Sequence, residues 1–223
     1  MSIMKTDTDL RREILAELAY EPSIQANDIG VSVKDGIVTL SGHVTTYAEK
    51  FAAETAVKRV VGVRAVAEEL DVSLVGSHQR NDEAVAQAAA TALESNVSVP
   101  ENRVKTSVEA GWITLNGDVN WNYQREAALN AVRHLVGVKG VTNLMEVKPL
   151  AAPAVSPVEV HEKIETALKR SMKNDVAGIT VESNNGMVKL HGKVHSWQEH
   201  DDAGRAAWSA QGVRFVENDL KVQ

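Results

Sequence analysis

Three histidines and two carboxylates lie close together late in the chain: His191, His195, His200, Asp201 and Asp202. Imidazole nitrogen and carboxylate oxygen are ligands that zinc takes, so two of these histidines with a carboxylate form a candidate metal set. The same stretch occurs in two earlier versions. There Ser41 and Asn116 hold the position of His191, while Lys50 and Arg125 hold that of His200. Residues of those types at shared positions mark a solvated face, so no metal site and no cofactor is assigned.

Other chemistries find less support. The chain has no cysteine, which excludes thiolate zinc sites, disulfides and cysteine nucleophiles. No Ser-His-Asp spacing suggests a nucleophile, no catalytic residue is assigned, and the chain reads as non-enzymatic. Gly137-Val138-Lys139-Gly140 has the GxxG spacing of an RNA-clamping loop, but the matching stretches read Gly-Val-Arg-Ala and Gly-Val-Arg-Phe. Net charge is −6. An acidic chain repels phosphate backbones, so no nucleic-acid partner is expected.

Binding at a surface fits better. Lys163, Lys169, Arg170 and Lys173 put positive charge on one helix, which suits an anionic lipid surface. Cations near a helix C-terminus also complement its dipole, which accounts for three of the four without a partner. Tyr47, Trp121, Tyr123 and Trp197 gather where a second helix begins. Amphipathic rings suit a membrane interface, and they equally staple a loop to its helix. Trp208 follows the core position Ala206 by two residues, which predicts the opposite face. Lys58 and Arg133 hold its place elsewhere, so Trp208 is expected at an interface with a neighbouring repeat or a partner. The candidate binding residues are therefore Lys163, Lys169, Arg170, Lys173, Trp121, Trp197 and Trp208.

The elements that must position them come from a threefold internal repeat. Gly36-Ile37-Val38-Thr39-Leu40-Ser41-Gly42-His43-Val44 recurs from Gly111 and again from Gly186, an interval of 75 residues each time. Gly62-Val63, Gly137-Val138 and Gly212-Val213 keep that register, as do Val72, Val147 and Val222. Each copy opens with a helix. Leu10, Ile14 and Leu18 form one apolar stripe, matched by Val85, Ala89 and Leu93 and by Val160, Ile164 and Leu168. Thr6, Asn81 and Ser156 are the expected N-caps.

A hairpin follows, with Asp35-Gly36 and Asn185-Gly186 suited to a tight turn in which both central residues have positive φ. Gly42, Gly117 and Gly192 mark a bulge or a close backbone approach. The second helix starts at capping boxes, Thr46 with Glu49 and Ser196 with Glu199. It is expected to stop at Gly62, Gly137 and Gly212. A last strand closes each copy. The linker 149–155 contains two prolines and is expected to be stiffer than the one at 76–80.

This arrangement predicts an α+β fold of three tandem αββαβ domains, over 1–75, 76–150 and 151–223. Each is a small three-stranded sheet with two helices on one face. Lys+Arg against Asp+Glu gives −4, −1 and −1 for the three, so none is a basic module.

The pattern G-x-[IV]-x-L-x-G-x-V, an alanine-rich helix, then G-V-x-x-V and a closing strand resembles the BON domain, named for bacterial OsmY and nodulation proteins. The resemblance covers essentially the whole chain. It implies non-catalytic modules, most often in envelope proteins made under osmotic stress and proposed to attach to phospholipid. Its structural glycines are Gly36, Gly42, Gly62, Gly111, Gly117, Gly137, Gly186, Gly192 and Gly212. Cytoplasmic relatives are linked to cations, potassium in particular. The expected function is a stress-associated binding or scaffold protein, engaging a membrane surface or a protein partner. The alternative is a monovalent-cation or small-ligand binder. The start Met1-Ser2-Ile3-Met4-Lys5 shows no secretory signal, so a cytoplasmic, membrane-associated location is expected. Oligomeric state is not legible in the sequence.

Overall fold

The computed structural model describes residues 5–150, 156–171 and 178–223. Lys173 and the linker residues 151–155 lie outside that set. The first repeat runs α1 (Asp7–Tyr20), β1 (Ile29–Lys34), β2 (Ile37–Val44), α2 (Tyr47–Arg59) and β3 (Ala65–Val72). The second runs α3 (Asp82–Glu94), β4 (Val104–Glu109), β5 (Trp112–Val119), α4 (Asn122–Arg133), β6 (Gly140–Asn143) and β7 (Glu146–Val147). The third runs α5 (Pro157–Ser171), β8 (Ile179–Asn184), β9 (Met187–Val194), α6 (Trp197–Trp208) and β10 (Phe215–Val222).

In every repeat the returning hairpin strand is central, giving the orders β1-β2-β3, β4-β5-β6 and β8-β9-β10. β8 and β9 pair antiparallel, and β10 pairs parallel with β9 from Phe215↔Met187 to Val222↔Val194. The parallel pairing requires a crossover, which the second helix provides. In the second repeat the closing strand is broken at Leu144–Met145, and its halves both pair with β5. At the break Asn143 Oδ1 accepts from Met145 N at 3.1 Å. The chain is thus three αββαβ repeats in the α+β class.

The predicted stripes are the cores. Leu10, Ile14 and Leu18 are buried, as are Val85, Ala89 and Leu93, and Val160, Ile164 and Leu168. They meet inward residues of the central strands, Val38 and Leu40, Ile113 and Leu115, and Val188 and Leu190. Burying one such Leu, Ile or Val side chain stabilises by about 1.5–3 kcal/mol. Aliphatic side chains make up these cores, and Trp197 and Trp208 pack half-buried against the third.

Caps fall where predicted. Thr6 Oγ1 accepts from Asp9 N at 3.1 Å, Asn81 Oδ1 from Ala84 N at 2.9 Å, and Ser156 Oγ from Glu159 N at 3.2 Å. The second helices differ from expectation at their ends. They finish at Arg59, Arg133 and Trp208, before the glycines. Bonds such as Val60 N to Val57 O (3.1 Å) and Val63 N to Val60 O (3.3 Å) insert a tighter turn first. All nine family glycines have positive φ. Close approach is sharpest at Gly117 and Gly192, where a Cβ would lie 2.0 Å from the Arg103 carbonyl oxygen and 1.9 Å from that of Gly178.

Packing divides the chain into two compact units: residues 1–41, 53–69 and 151–223 form one, and residues 42–52 and 70–150 the other. Within the first, Lys58 Nζ lies 5.2 Å from the centre of the Trp197 ring. Within the second, the Arg133 guanidinium lies 3.8 Å from the centre of the Phe51 ring.

Candidate functional site

The site begins with two small residues. In the first repeat, Glu17 Oε1 pairs with Arg59 Nε at 3.1 Å and Glu21 Oε2 with Arg59 Nη2 at 3.0 Å, tying α1 to α2. Ala167 and Ser209 stand at the positions of Glu17 and Arg59 in the third repeat. Neither reaches across, and a groove of about 520 Å³ opens between α5 and α6. Ala167, Ala206 and Ala210 give it an apolar lining; Thr166, Ser209 and Gln211 give it hydroxyl and amide groups. Lys163 and Arg170 bring positive charge, and Glu162 is the one acid among the lining residues.

Of the residues singled out in the sequence, the groove therefore gathers Lys163 and Arg170. Seven residues apart on α5, they share a helix face. Lys163 Nζ pairs with Glu159 Oε1 at 3.1 Å, one turn back. Exposed pairs of that kind contribute about 0.3–0.5 kcal/mol, so the ammonium remains available to a stronger anion. No described residue forms an ion pair with Arg170. Lys169 stands apart from the groove, exposed and paired to Glu165 Oε2 at 3.4 Å.

The aromatics do not join them. Trp121 caps α4 in a partly exposed position, where the Gln124 side chain accepts from the Asn120 and Trp121 amides at 2.9 and 3.1 Å. Trp197 is half-buried against the third core, its ring centre 4.9 Å from that of His200. Trp208 is not on the far face: it too packs, half-buried, against the third core. The buried line of α6 runs through Ala203 and Ala207, and Ala206 and Trp208 flank it on either side, so a residue opposite Ala206 still reaches the core. Lys58 and Arg133, at the same position, each lie over a ring of another repeat, so in two copies the position does serve packing between repeats.

The late histidines separate. His191 Nδ1 lies 3.6 Å from Asp219, His195 Nδ1 3.4 Å from Glu199, and His200 Nδ1 3.1 Å from Asp201. The His200 bond holds the Asp201 carboxyl below its ordinary range, with Lys58 and Arg205 adding to the effect. On the open face of the third sheet, Glu217 pairs with Lys189 at 2.6 Å and raises the lysine above its usual value. Among the described residues no group of three or more acids and histidines converges on one point. Among them also, no helix is long and apolar enough to cross a membrane.

Neither periodicity nor motif in the sequence marks the groove. Its signal was present as a difference between copies, Glu17 and Arg59 against Ala167 and Ser209. Only packing shows that those two positions face each other.

Three copies of αββαβ with glycines at the hairpin, the bulge and the second helix end define a tandem small-module protein. The pattern of the BON domain family matches residues 6–73, 81–149 and 159–223, and the chain belongs to that family. Osmotically-inducible protein Y of Escherichia coli (strain K12) is 30% identical over 147 residues, spanning 64% of this chain and 73% of that protein. Two solved structures of CdsD, a structural protein of the type III secretion system of Chlamydia trachomatis, also align. They cover 95% and 98% of this chain and 91% and 100% of theirs, at 18% and 17% identity and TM-scores of 0.27 and 0.28.

Proposed function

We propose that this chain is a non-enzymatic binding protein of the osmotic stress response, whose third repeat docks on anionic phospholipid through the α5–α6 groove. The observation that carries the reading is the pairing of Lys163 and Arg170 beside a groove lined by alanines and hydroxyls. A phosphate oxygen suits the two cations, and the alanine surface suits the glycerol carbons below it. Each basic side chain near an anionic leaflet contributes about 1 kcal/mol, so two give a reversible, salt-sensitive association. The relative named for osmotic induction supports the stress context. The boundaries 1–75, 76–150 and 151–223 then make the third domain the membrane-facing one.

The test is charge reversal. Lys163→Glu with Arg170→Glu is expected to lose binding to phosphatidylglycerol vesicles while the melting temperature stays within a degree or two of the parent. Retained vesicle binding by the folded double variant refutes the groove as the docking site.

A further inference from the structure

The first two repeats hold a carboxylate on their hairpin turns. Asp7, the first residue of α1, accepts from Asp35 N at 2.8 Å and Gly36 N at 3.1 Å. Asp82, the first residue of α3, accepts from Ala110 N and Gly111 N, both at 2.8 Å. The turn conformation points two consecutive amides at one anion, with φ of 52° and 75° in the first repeat and 50° and 83° in the second. The third turn has the same conformation, φ 47° at Asn185 and 79° at Gly186.

Its anion is missing from the sequence. Pro157 occupies the position of Asp7 and Asp82, and proline has no side-chain acceptor. No described residue supplies a carboxylate to the Asn185 and Gly186 amides. Gly36 and Gly111 are buried, whereas Gly186 is partly exposed. The Arg214 side chain runs beside the turn, its Cγ and Cδ both 3.1 Å from where a Gly186 Cβ would stand. The aliphatic stem of a basic residue therefore lies against the turn, as that of Arg64 does in the first repeat.

We propose that the β8–β9 turn is a carboxylate-binding site, ligated by the amides of Asn185 and Gly186 with Arg214 alongside. Two copies within the same chain show which chemistry these amides bind, and the third offers the same pair of donors without an internal occupant. Backbone donors fixed in place bind an anion without having to be ordered first. The site is separate from the α5–α6 groove and does not depend on the vesicle reading.

The test uses the full chain labelled with ¹⁵N and titrated with sodium acetate, ionic strength being held constant with chloride. Asn185 and Gly186 amide resonances are expected to shift and saturate, while Gly36 and Gly111 stay still because Asp7 and Asp82 already cover them. Pro157→Asp is expected to abolish the response by restoring the internal carboxylate. A parallel titration with a helix-forming peptide bearing Asp at its first position identifies the source. Much tighter binding than acetate assigns the carboxylate to a polypeptide, and equal affinity assigns a small organic acid. The proposal is overturned if Asn185 and Gly186 move no more than Gly36 and Gly111, if inorganic phosphate shifts them and acetate does not, or if the folded Pro157→Asp variant responds like the parent.

Discussion

The Trp112 indole lies across Gly140 on the neighbouring parallel strand, and its Nε1 donates to Thr142 Oγ1 at 2.8 Å. A Cβ on Gly140 would stand 2.4 Å from the ring. The glycine thus exists to seat the tryptophan, and the ring in turn covers backbone that a bare glycine leaves exposed. The corresponding positions hold Ile37 with Ala65, and Met187 with Phe215. Each repeat solves the pair with different sizes. Gly140→Val is expected to unseat Trp112, destabilise the chain by about 1–3 kcal/mol and shift tryptophan emission to the red. Chemical denaturation with fluorescence detection checks both. Adding Trp112→Ile to Gly140→Ala is expected to recover most of the loss of the single alanine variant, and full additivity of the two losses contradicts the pairing.

The bulge glycines are a second point of strain. With φ of 126° and 133°, and a carbonyl oxygen near 2 Å from any Cβ, Gly117 and Gly192 have no room for alanine. Either change to alanine is expected to destabilise by about 2 kcal/mol or more. Gly76 has no atom within 4 Å of its Cβ position, so Gly76→Ala is the matched control and is expected to be neutral. Thermal denaturation distinguishes the two classes.

Acid should weaken the second repeat through Asp118. The Arg103 guanidinium bonds this carboxylate and holds it below its ordinary value, with Lys148 adding a smaller effect. A depressed carboxylate stabilises the fold above its ordinary value and loses that contribution as pH falls through the folded one. Asp118→Asn is therefore expected to lower the melting temperature at pH 7. The gap between variant and parent should begin to close as pH falls to about 4, where the unfolded chain protonates, and close further as the folded carboxylate follows at lower pH. A gap that does not change between neutral and acid pH contradicts this account.

Much of this was legible. Apolar stripes such as Leu10, Ile14 and Leu18 and the hairpin Asp35-Gly36 are local signals, and local signals survive folding when the core agrees with them. The helix ends at Arg59, Arg133 and Trp208 were not legible. A glycine marks the end of a turn sequence as readily as the end of a helix. Spacing from Ala206 misplaces Trp208 because the buried face of α6 centres on Ala203 and Ala207, with Ala206 and Trp208 at its two edges. The groove and the open turn escaped for a different reason. Each is defined by what a residue fails to do for a distant partner, Ala167 and Ser209 in one case and Pro157 in the other. Only the sibling repeats, once folded, show what those partners are.

Closing the groove gives a further prediction. Ala167→Glu with Ser209→Arg rebuilds the Glu17–Arg59 bridge of the first repeat between α5 and α6. The double variant is expected to fold, keep its melting temperature to within a few degrees and lose vesicle binding. Calorimetry and a vesicle pull-down check the two halves separately.

Docking of the third repeat on an anionic lipid surface is open to a direct experiment. The direct measurement is co-sedimentation of the full chain with neutral and with anionic vesicles, at low and at high salt. Pelleting is expected with anionic vesicles alone, with release as ionic strength rises and the Debye length shortens. A chain that stays in the supernatant with every vesicle, or that pellets equally with neutral lipid in high salt, contradicts it.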